Sequence, residues 1–158
     1  YKGEVDIETL DKWVYEVEAW KDQNDLDDQT ALSLMGKFLA AKPSQFFMKH
    51  VAMSLPKWTL KLFYEALFHY CFPRDFKMRM RESLINAEQG DREVQDFLRD
   101  IETLATRFSD ITHQQVIQIF WRGMRPYLRY WLIEKGLNPE ISSLAKLAKY
   151  ATRREEAY

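Results

Sequence analysis

The clearest amphipathic pattern in the chain follows the Gln89–Gly90 pair. Gly90 suits the left-handed position that ends many helices, and Asp91 is expected to cap a new helix with Glu93 in its first turn. Apolar residues then recur three and four positions apart, as on one face of an α-helix of about four turns; they are Val94, Phe97, Leu98, Ile101, Leu104, Ala105 and Phe108.

The same helical spacing runs through most of the chain, and no stretch alternates cleanly between apolar and polar residues as a strand would. A capping box is expected at Thr112 and Gln115, and the second helix is expected to run to about Ala41. The predicted helices begin near Asp6, after the acidic turn 24–28, at Pro43, near Lys57, near Asp75, after Gly90, at Thr112, at Pro126 and at Ser142 or Ser143.

A break between Phe72 and Pro73 separates the first four predicted helices from the last five. The residue before a proline disfavours helical geometry, so the fourth helix is expected to end there. The pattern predicts an all-α chain of about nine short helices in two small lobes, residues 1–73 and 74–158.

Composition supports a folded core and places the charge unevenly. The 158 residues are 46% hydrophobic and 15% aromatic, which argues against disorder. The net charge of −1 argues against a dedicated nucleic-acid binder. Residues 1–31 carry ten acids and three bases, whereas residues 122–158 carry eight bases and four acids. This asymmetry indicates either two solvated faces or head-to-tail attraction between copies of the chain.

Cysteine usage and the lack of targeting signals indicate an intracellular, cytoplasmic setting. Cys71 is the only cysteine, so neither an internal disulfide nor a cysteine-based zinc site is expected. No apolar run approaches the roughly 20 residues of a membrane span, and no signal peptide is visible. The chain lacks an initiator Met, and we expect it to be a segment of a longer protein.

The motifs of common catalytic and cofactor sites are missing from the sequence. The three histidines do not form a zinc-binding pattern, and no nucleophile elbow or phosphate-binding glycine loop is present. We therefore expect no enzyme activity, no metal and no cofactor. A basic cluster of Arg74, Lys77, Arg79 and Arg81 can touch phosphate, but its flanking acids favour a solvated face.

Several motifs in a fixed order carry a family resemblance. They are Tyr1 with Gly3, Leu10 with Trp13, Ala19–Trp20, Phe38–Leu39 followed by Pro43 and Phe46–Phe47, Trp58 with Phe63 and Leu67, Phe72–Pro73, Gln89–Gly90 with Val94 and Phe97, Phe120 with Gly123, Met124 and Pro126, and the helix 144–151. In this order and spacing they resemble the Gag capsid of gypsy-type LTR retrotransposons and domesticated relatives such as the neuronal Arc protein. The segment 89–104, with Glu93, stands where that family has its major homology region.

The resemblance implies an N-terminal and a C-terminal capsid lobe and a structural function. Many copies would assemble into a virus-like shell around the RNA of the element. RNA capture would belong to a zinc-knuckle segment that this chain does not contain, so contact with RNA would be indirect. An alternative is a domesticated capsid-fold adaptor that binds apolar peptides and oligomerises weakly. A helical nucleic-acid-binding domain is disfavoured by the charge balance.

The resemblance also implies two contact surfaces. In related capsids the second helix of the C-terminal lobe forms a two-fold contact, and here it corresponds to Thr112–Gly123. His113, Ile117 and Trp121 form a stripe on that helix beside its inward face, so they are either a dimer interface or part of a wide core-facing stripe.

The second implied surface is a peptide groove in the N-terminal lobe. Its candidate lining residues are Tyr1, Trp20, Phe46, Phe47 and His50, and the segment Tyr1–Val5 of the same chain is a candidate occupant.

Overall fold

The computed structural model describes residues 1–157, and over this range the chain is all-helical with no strand. Its nine α-helices are α1 Ile7–Gln23, α2 Asp28–Ser33, α3 Ala41–Phe46, α4 Leu60–Cys71, α5 Phe76–Ile85, α6 Val94–Ala105, α7 His113–Gly123, α8 Pro126–Glu134 and α9 Leu144–Ala157. Tighter 3₁₀ segments, Met35–Phe38 and Ala52–Lys57, and a wider π segment, Phe47–Val51, lie between α2 and α4. The all-α prediction is confirmed.

Contacts within the chain divide it into two compact units, one of residues 1–76 and one that begins at Lys77. The break at Phe72 has the expected cause, because Phe72 is extended ahead of Pro73 and ends α4. The division lies three residues after the boundary predicted from the sequence. That the two units are capsid lobes stays a prediction.

The N-terminal unit is held by local caps and by one ion pair. Asp6 accepts the backbone N–H of Glu8 at 3.0 Å and so caps α1 as predicted. The carboxylate of Asp28 accepts from Lys21 Nζ at 2.8 Å and from the backbone N–H of Leu60 at 3.2 Å. The main core of this unit consists of Val17, Ala31, Leu32, Met35, Leu39, Phe46, Phe47, Val51, Leu60, Phe63 and Leu67.

The second predicted helix is shorter than expected, because α2 ends at Ser33 rather than near Ala41. The backbone nitrogen of Tyr1 donates to the Phe38 carbonyl at 2.7 Å, and Ala40 N–H donates to the Tyr1 carbonyl at 2.9 Å. These bonds accompany an extended backbone at Leu39 and Ala40, so a continuous helix there is excluded.

The C-terminal unit follows its local sequence signals closely. Thr112 and Gln115 form the predicted capping box, with side-chain bonds of 3.1 and 2.7 Å. Pro126 opens α8, and the Ser143 hydroxyl accepts Lys146 N–H at 3.1 Å at the start of α9. The core of this unit consists of Leu84, Val94, Phe97, Ile101, Phe108, Val116, Ile117, Ile119, Phe120, Met124, Leu128, Leu132, Leu137, Leu144, Leu147 and Ala151.

Candidate functional site

Gln89 is a fully buried polar side chain at the centre of the C-terminal unit. Its amide nitrogen donates to the Arg92 carbonyl at 2.9 Å and to the Glu155 carboxylate at 3.3 Å. Its amide oxygen accepts the backbone N–H of Arg125 at 3.0 Å, and its own backbone N–H donates to the Gly123 carbonyl at 2.8 Å. One side chain therefore joins the turn before α6, the turn between α7 and α8, and α9.

The N-terminus of α6 is capped from a distant helix rather than from its own sequence. Helix α6 begins at Val94, and Glu93 before it makes no side-chain capping bond. The Glu155 carboxylate on α9 accepts the Val94 N–H at 3.0 and 3.3 Å. The expected cap by Asp91 is wrong, because Arg92 N–H bonds to the Gln89 carbonyl in a turn that places Asp91 three residues before the helix.

Two arginines hold the carbonyl groups of this turn. Arg125 Nε donates to the Gly90 carbonyl at 2.7 Å, and its terminal nitrogen donates to the Arg92 carbonyl at 3.2 Å. Arg92 donates to the carbonyls of Gln89 and Glu88 and pairs with Asp100 at 2.6 Å. The sequence reasoning missed both arginines and Glu155, since most of their partners are backbone groups and the partners of Arg125 and Glu155 lie far away in sequence.

Gly123 lets the end of α7 pack against the same turn. A Cβ atom at this position would lie 2.2 Å from the Ala87 carbonyl oxygen and 2.5 Å from Phe97 Cζ. Phe97 is fully buried, and its ring lies 5.9 Å from that of Phe120. Because of this close approach, the segment around Gln89–Gly90 and the segment Phe120–Gly123 pack together in one site.

The structure thus brings together four of the five residues predicted as the homology-region motif. Gln89, Val94 and Phe97 are buried, Gly90 has the left-handed φ of +58°, and Glu93 is exposed. The polar groups of Gln89 are used in internal hydrogen bonds. The geometry of this motif is that of a structural joint.

The predicted stripe on α7 does not form one free surface. Ile117 is 4% exposed and belongs to the core of the C-terminal unit, so it offers no area to a partner. Trp121 is half-buried against the same core, and His113 is exposed. His113 and Trp121 are the accessible members of the stripe, and the contact itself stays a prediction.

The five predicted groove residues do not gather in one groove. Phe46 and Phe47 are core residues, at 9% and 4% exposed. Tyr1 packs on Trp13 at 5.7 Å between ring centroids. Trp20, in contrast, packs edge-on against Phe38 at 4.7 Å. The predicted occupant of the groove is the segment Tyr1–Val5. Its first residue, Tyr1, forms the backbone hydrogen bonds to residues 38 and 40 described above.

His50, the fifth of these residues, lies beside the ring of Phe46 at 5.3 Å and lines a surface depression of about 540 Å³. The other lining residues are Ser54, Lys57, Trp58, Leu62, Glu65, Ala66 and His69. Leu62 is 47% exposed there, on the same side of α4 as the exposed Glu65 and His69. This depression is an accessible and partly apolar surface of the N-terminal unit.

A wider open groove, of about 740 Å³, runs between α6 and α9. Its α9 side presents small residues and two bases, and its α6 side mixes apolar and charged side chains. The lining residues are Gln95, Leu98, Arg99, Glu102, Thr103, Ala145, Ala148, Lys149, Thr152 and Arg153.

Several ionisable groups with displaced pKa values take part in hydrogen bonds within each unit. The hydrogen bond from Lys21 holds the pKa of Asp28 below its usual value, and the hydrogen bond from Arg81 does the same for Asp110. Burial, followed by a hydrogen bond to Glu18, raises the pKa of Tyr64. Within residues 1–157, no three His, Cys, Asp or Glu side chains gather where they could hold a metal ion. None of the helices in this range is both long and apolar enough to span a bilayer.

Comparison of the chain with protein-family models, with curated proteins and with solved structures gives no match in any of the three. The resemblance stated from the sequence therefore depends on the order and spacing of its motifs.

Proposed function

We propose that this chain is a structural capsid protein of the Gag type, whose copies assemble into a virus-like shell around retroelement RNA in the cytoplasm. The observation that carries the proposal is the Gln89 network. The motif behind the resemblance forms a buried joint between α6, the α7–α8 turn and α9, with Gln89 fully buried. A packed helical unit of this kind can present the same surface in every copy, as contacts between identical subunits require.

Charge and exposed apolar area support contacts between copies. The first 31 residues have a net charge of −7 and the last 37 a net charge of +4, so opposite ends of two copies attract each other. Trp121 on α7 is half-buried in a single chain, and tryptophan is favoured at the centre of protein interfaces. Both features favour homo-oligomers over a small-molecule substrate.

Electron microscopy of the purified chain tests the proposal directly. We expect particles to form as protein concentration rises, with a steep dependence on salt because screening weakens the attraction between opposite charges. A chain that stays monomeric at every concentration and salt would contradict shell assembly.

Replacement of Trp121 tests the contact surface. Trp121→Ala is expected to weaken self-association in analytical ultracentrifugation while the helical circular dichroism stays intact. Trp131→Ala is the matched control, because Trp131 is also half-buried against the same core but lies on α8. Unchanged association in Trp121→Ala would reject this surface, and loss of helicity would assign Trp121 to the core.

A second candidate is the peptide-binding adaptor, which the depression around His50 and Leu62 favours. Labelled apolar peptides titrated against the full chain should bind saturably, and Leu62→Glu should abolish binding. Leu34→Glu is the control, since Leu34 is 40% exposed outside the depression. No saturable binding at high micromolar concentration would contradict the adaptor function.

A further inference from the structure

A small basic depression lies where α5 faces the turn that follows α6. It has a volume of about 230 Å³ and is lined by Lys77, Met78, Arg81, Arg107, Phe108, Ser109 and Asp110. Lys77 and Arg81 are four positions apart and so share one face of α5. The turn adds the third cation, Arg107, so three cationic side chains line this depression against one carboxylate.

Arg81 is held in a fixed orientation within this depression. Its guanidinium donates to both Asp110 oxygens, at 2.9 and 3.1 Å. The guanidinium carbon also lies 4.4 Å from the centroid of the Phe108 ring, which is 7% exposed. The bidentate pair uses two of the five N–H donors that a guanidinium carries. Arg81 is therefore oriented before any ligand arrives, which lowers the entropy cost of binding.

We propose that this depression, the Arg81 pocket, binds a phosphate group. Two guanidinium groups and one ammonium group are the cationic donors that pair with the oxygens of a phosphate in proteins. The Ser109 hydroxyl supplies a further donor at the same place. Asp110 opposes an anion, but the lining side chains still sum to a net charge of +2.

The pocket changes the interpretation of the basic cluster seen in the sequence. Lys77 and Arg81 of that cluster line the pocket, and Arg107 joins them from 26 positions beyond Arg81. The phosphate can belong to a small phosphorylated molecule or to an RNA backbone, because both present the same oxyanion. Binding of either requires one chain only, so it goes beyond the proposed assembly into shells.

Calorimetric titration of the full chain with sodium pyrophosphate at low salt tests the site. Saturable binding is expected, and Arg107→Gln should weaken it about fivefold through the loss of one charged donor. Lys77→Gln should weaken binding to a similar extent, because Lys77 supplies the ammonium group of the pocket. Arg153→Gln is the matched control, since it removes the same charge from α9 outside the pocket and should change affinity less than about twofold.

Each result decides for or against the pocket. Equal weakening by Arg107→Gln and Arg153→Gln would show general attraction to basic protein and overturn the proposal. The absence of saturable binding would also overturn the proposal, as would unchanged affinity in both Arg107→Gln and Lys77→Gln. A labelled oligouridylate, followed by fluorescence anisotropy, identifies the source of the phosphate. RNA binding that competes with pyrophosphate indicates a backbone phosphate, and binding of pyrophosphate alone indicates a free one.

Discussion

The Glu155 carboxylate on α9 accepts the backbone N–H of Val94, the first residue of α6, at 3.0 Å across 61 positions of sequence. The first helix after the Gln-Gly turn is thus capped by the last helix of the chain. This contact closes the C-terminal unit, because the same carboxylate also accepts from the Gln89 amide at 3.3 Å.

Removal of this cap should destabilise the C-terminal unit. Glu155→Ala leaves the N–H of Val94 without its acceptor and removes one of the two acceptors of the Gln89 amide, so we expect the free energy of unfolding to fall by about 1–2 kcal/mol. Urea denaturation followed by circular dichroism measures this change. The free energy of unfolding of Glu156→Ala, at the exposed neighbouring position, should stay within about 0.5 kcal/mol of the parent. Equal losses of stability in the two variants would show that Glu155 does not cap α6.

Conversion of the buried amide to an acid should be more damaging. Gln89→Glu replaces a donor with a carboxylate that faces the Arg92 carbonyl and the Glu155 carboxylate. We expect a loss of about 2–4 kcal/mol at neutral pH. The deficit should shrink as the pH falls, because protonation restores a donor and removes the buried charge.

Chemical denaturation of Gln89→Glu at several pH values provides the measurement, and Gln95→Glu on the exposed face of α6 is the matched control. The control should differ from the parent by about 0.5 kcal/mol or less. A Gln89→Glu variant as stable as this control would contradict the buried network.

Two glycines should respond oppositely to the same substitution. Gly123→Ala places a Cβ atom 2.2 Å from the Ala87 carbonyl oxygen, and we expect a loss of about 2 kcal/mol or more. Gly36→Ala meets nothing nearer than Phe47 Cε1 at 3.7 Å and should be neutral or stabilising by up to about 1 kcal/mol. Thermal or urea unfolding of the two variants compares them, and similar effects would contradict the close approach at Gly123.

The ion pair between Asp28 and Lys21 should stabilise the fold at neutral pH but not at acid pH. Its bonds to Lys21 and to the Leu60 N–H lower the pKa of this carboxyl in the folded state. The contribution is therefore present above the unfolded pKa of about 4 and is lost as the pH falls below it through the lower folded value. Since Asp28 is partly exposed, screening limits the effect to on the order of 0.5 kcal/mol.

Asp28→Asn should accordingly lose less stability than the parent on acidification, as measured by urea unfolding from neutral to acid pH. Asp22→Asn, at an exposed position of α1, serves as the comparison and should retain the acid sensitivity of the parent. Parallel acid profiles for Asp28→Asn and the parent would exclude a role for this pair.

Local signals in the sequence were enough to locate most helices. Asp6, Thr112, Pro126 and Ser143 all act at helix starts, because a cap or a proline works within its own turn of chain. The apolar spacing after Gly90 also identified the buried face of α6, where Val94 and Phe97 are almost fully buried.

The errors arise where a partner lies far away in sequence. The extended backbone at Leu39 and Ala40 accompanies backbone bonds that join Tyr1 to residues 38 and 40, and the cap of α6 comes from Glu155. Ile117 illustrates a different limit: spacing places it on a stripe, but only packing decides how wide the core-facing side of α7 is. The candidate surfaces around Leu62 and Arg81 likewise depend on side chains that no motif links.

The single thiol of the chain is a reporter of how the N-terminal unit opens. Cys71 is 7% exposed, burial raises its pKa, and the backbone of Gly3 lies against it, since a Cβ built there would be 3.6 Å from Sγ. A maleimide reagent reaches this buried sulfur when the structure around it opens, so the rate of alkylation measures those openings. Because the sequence holds no other cysteine, the unaltered chain can be followed in this way with every labelling event assigned to one atom.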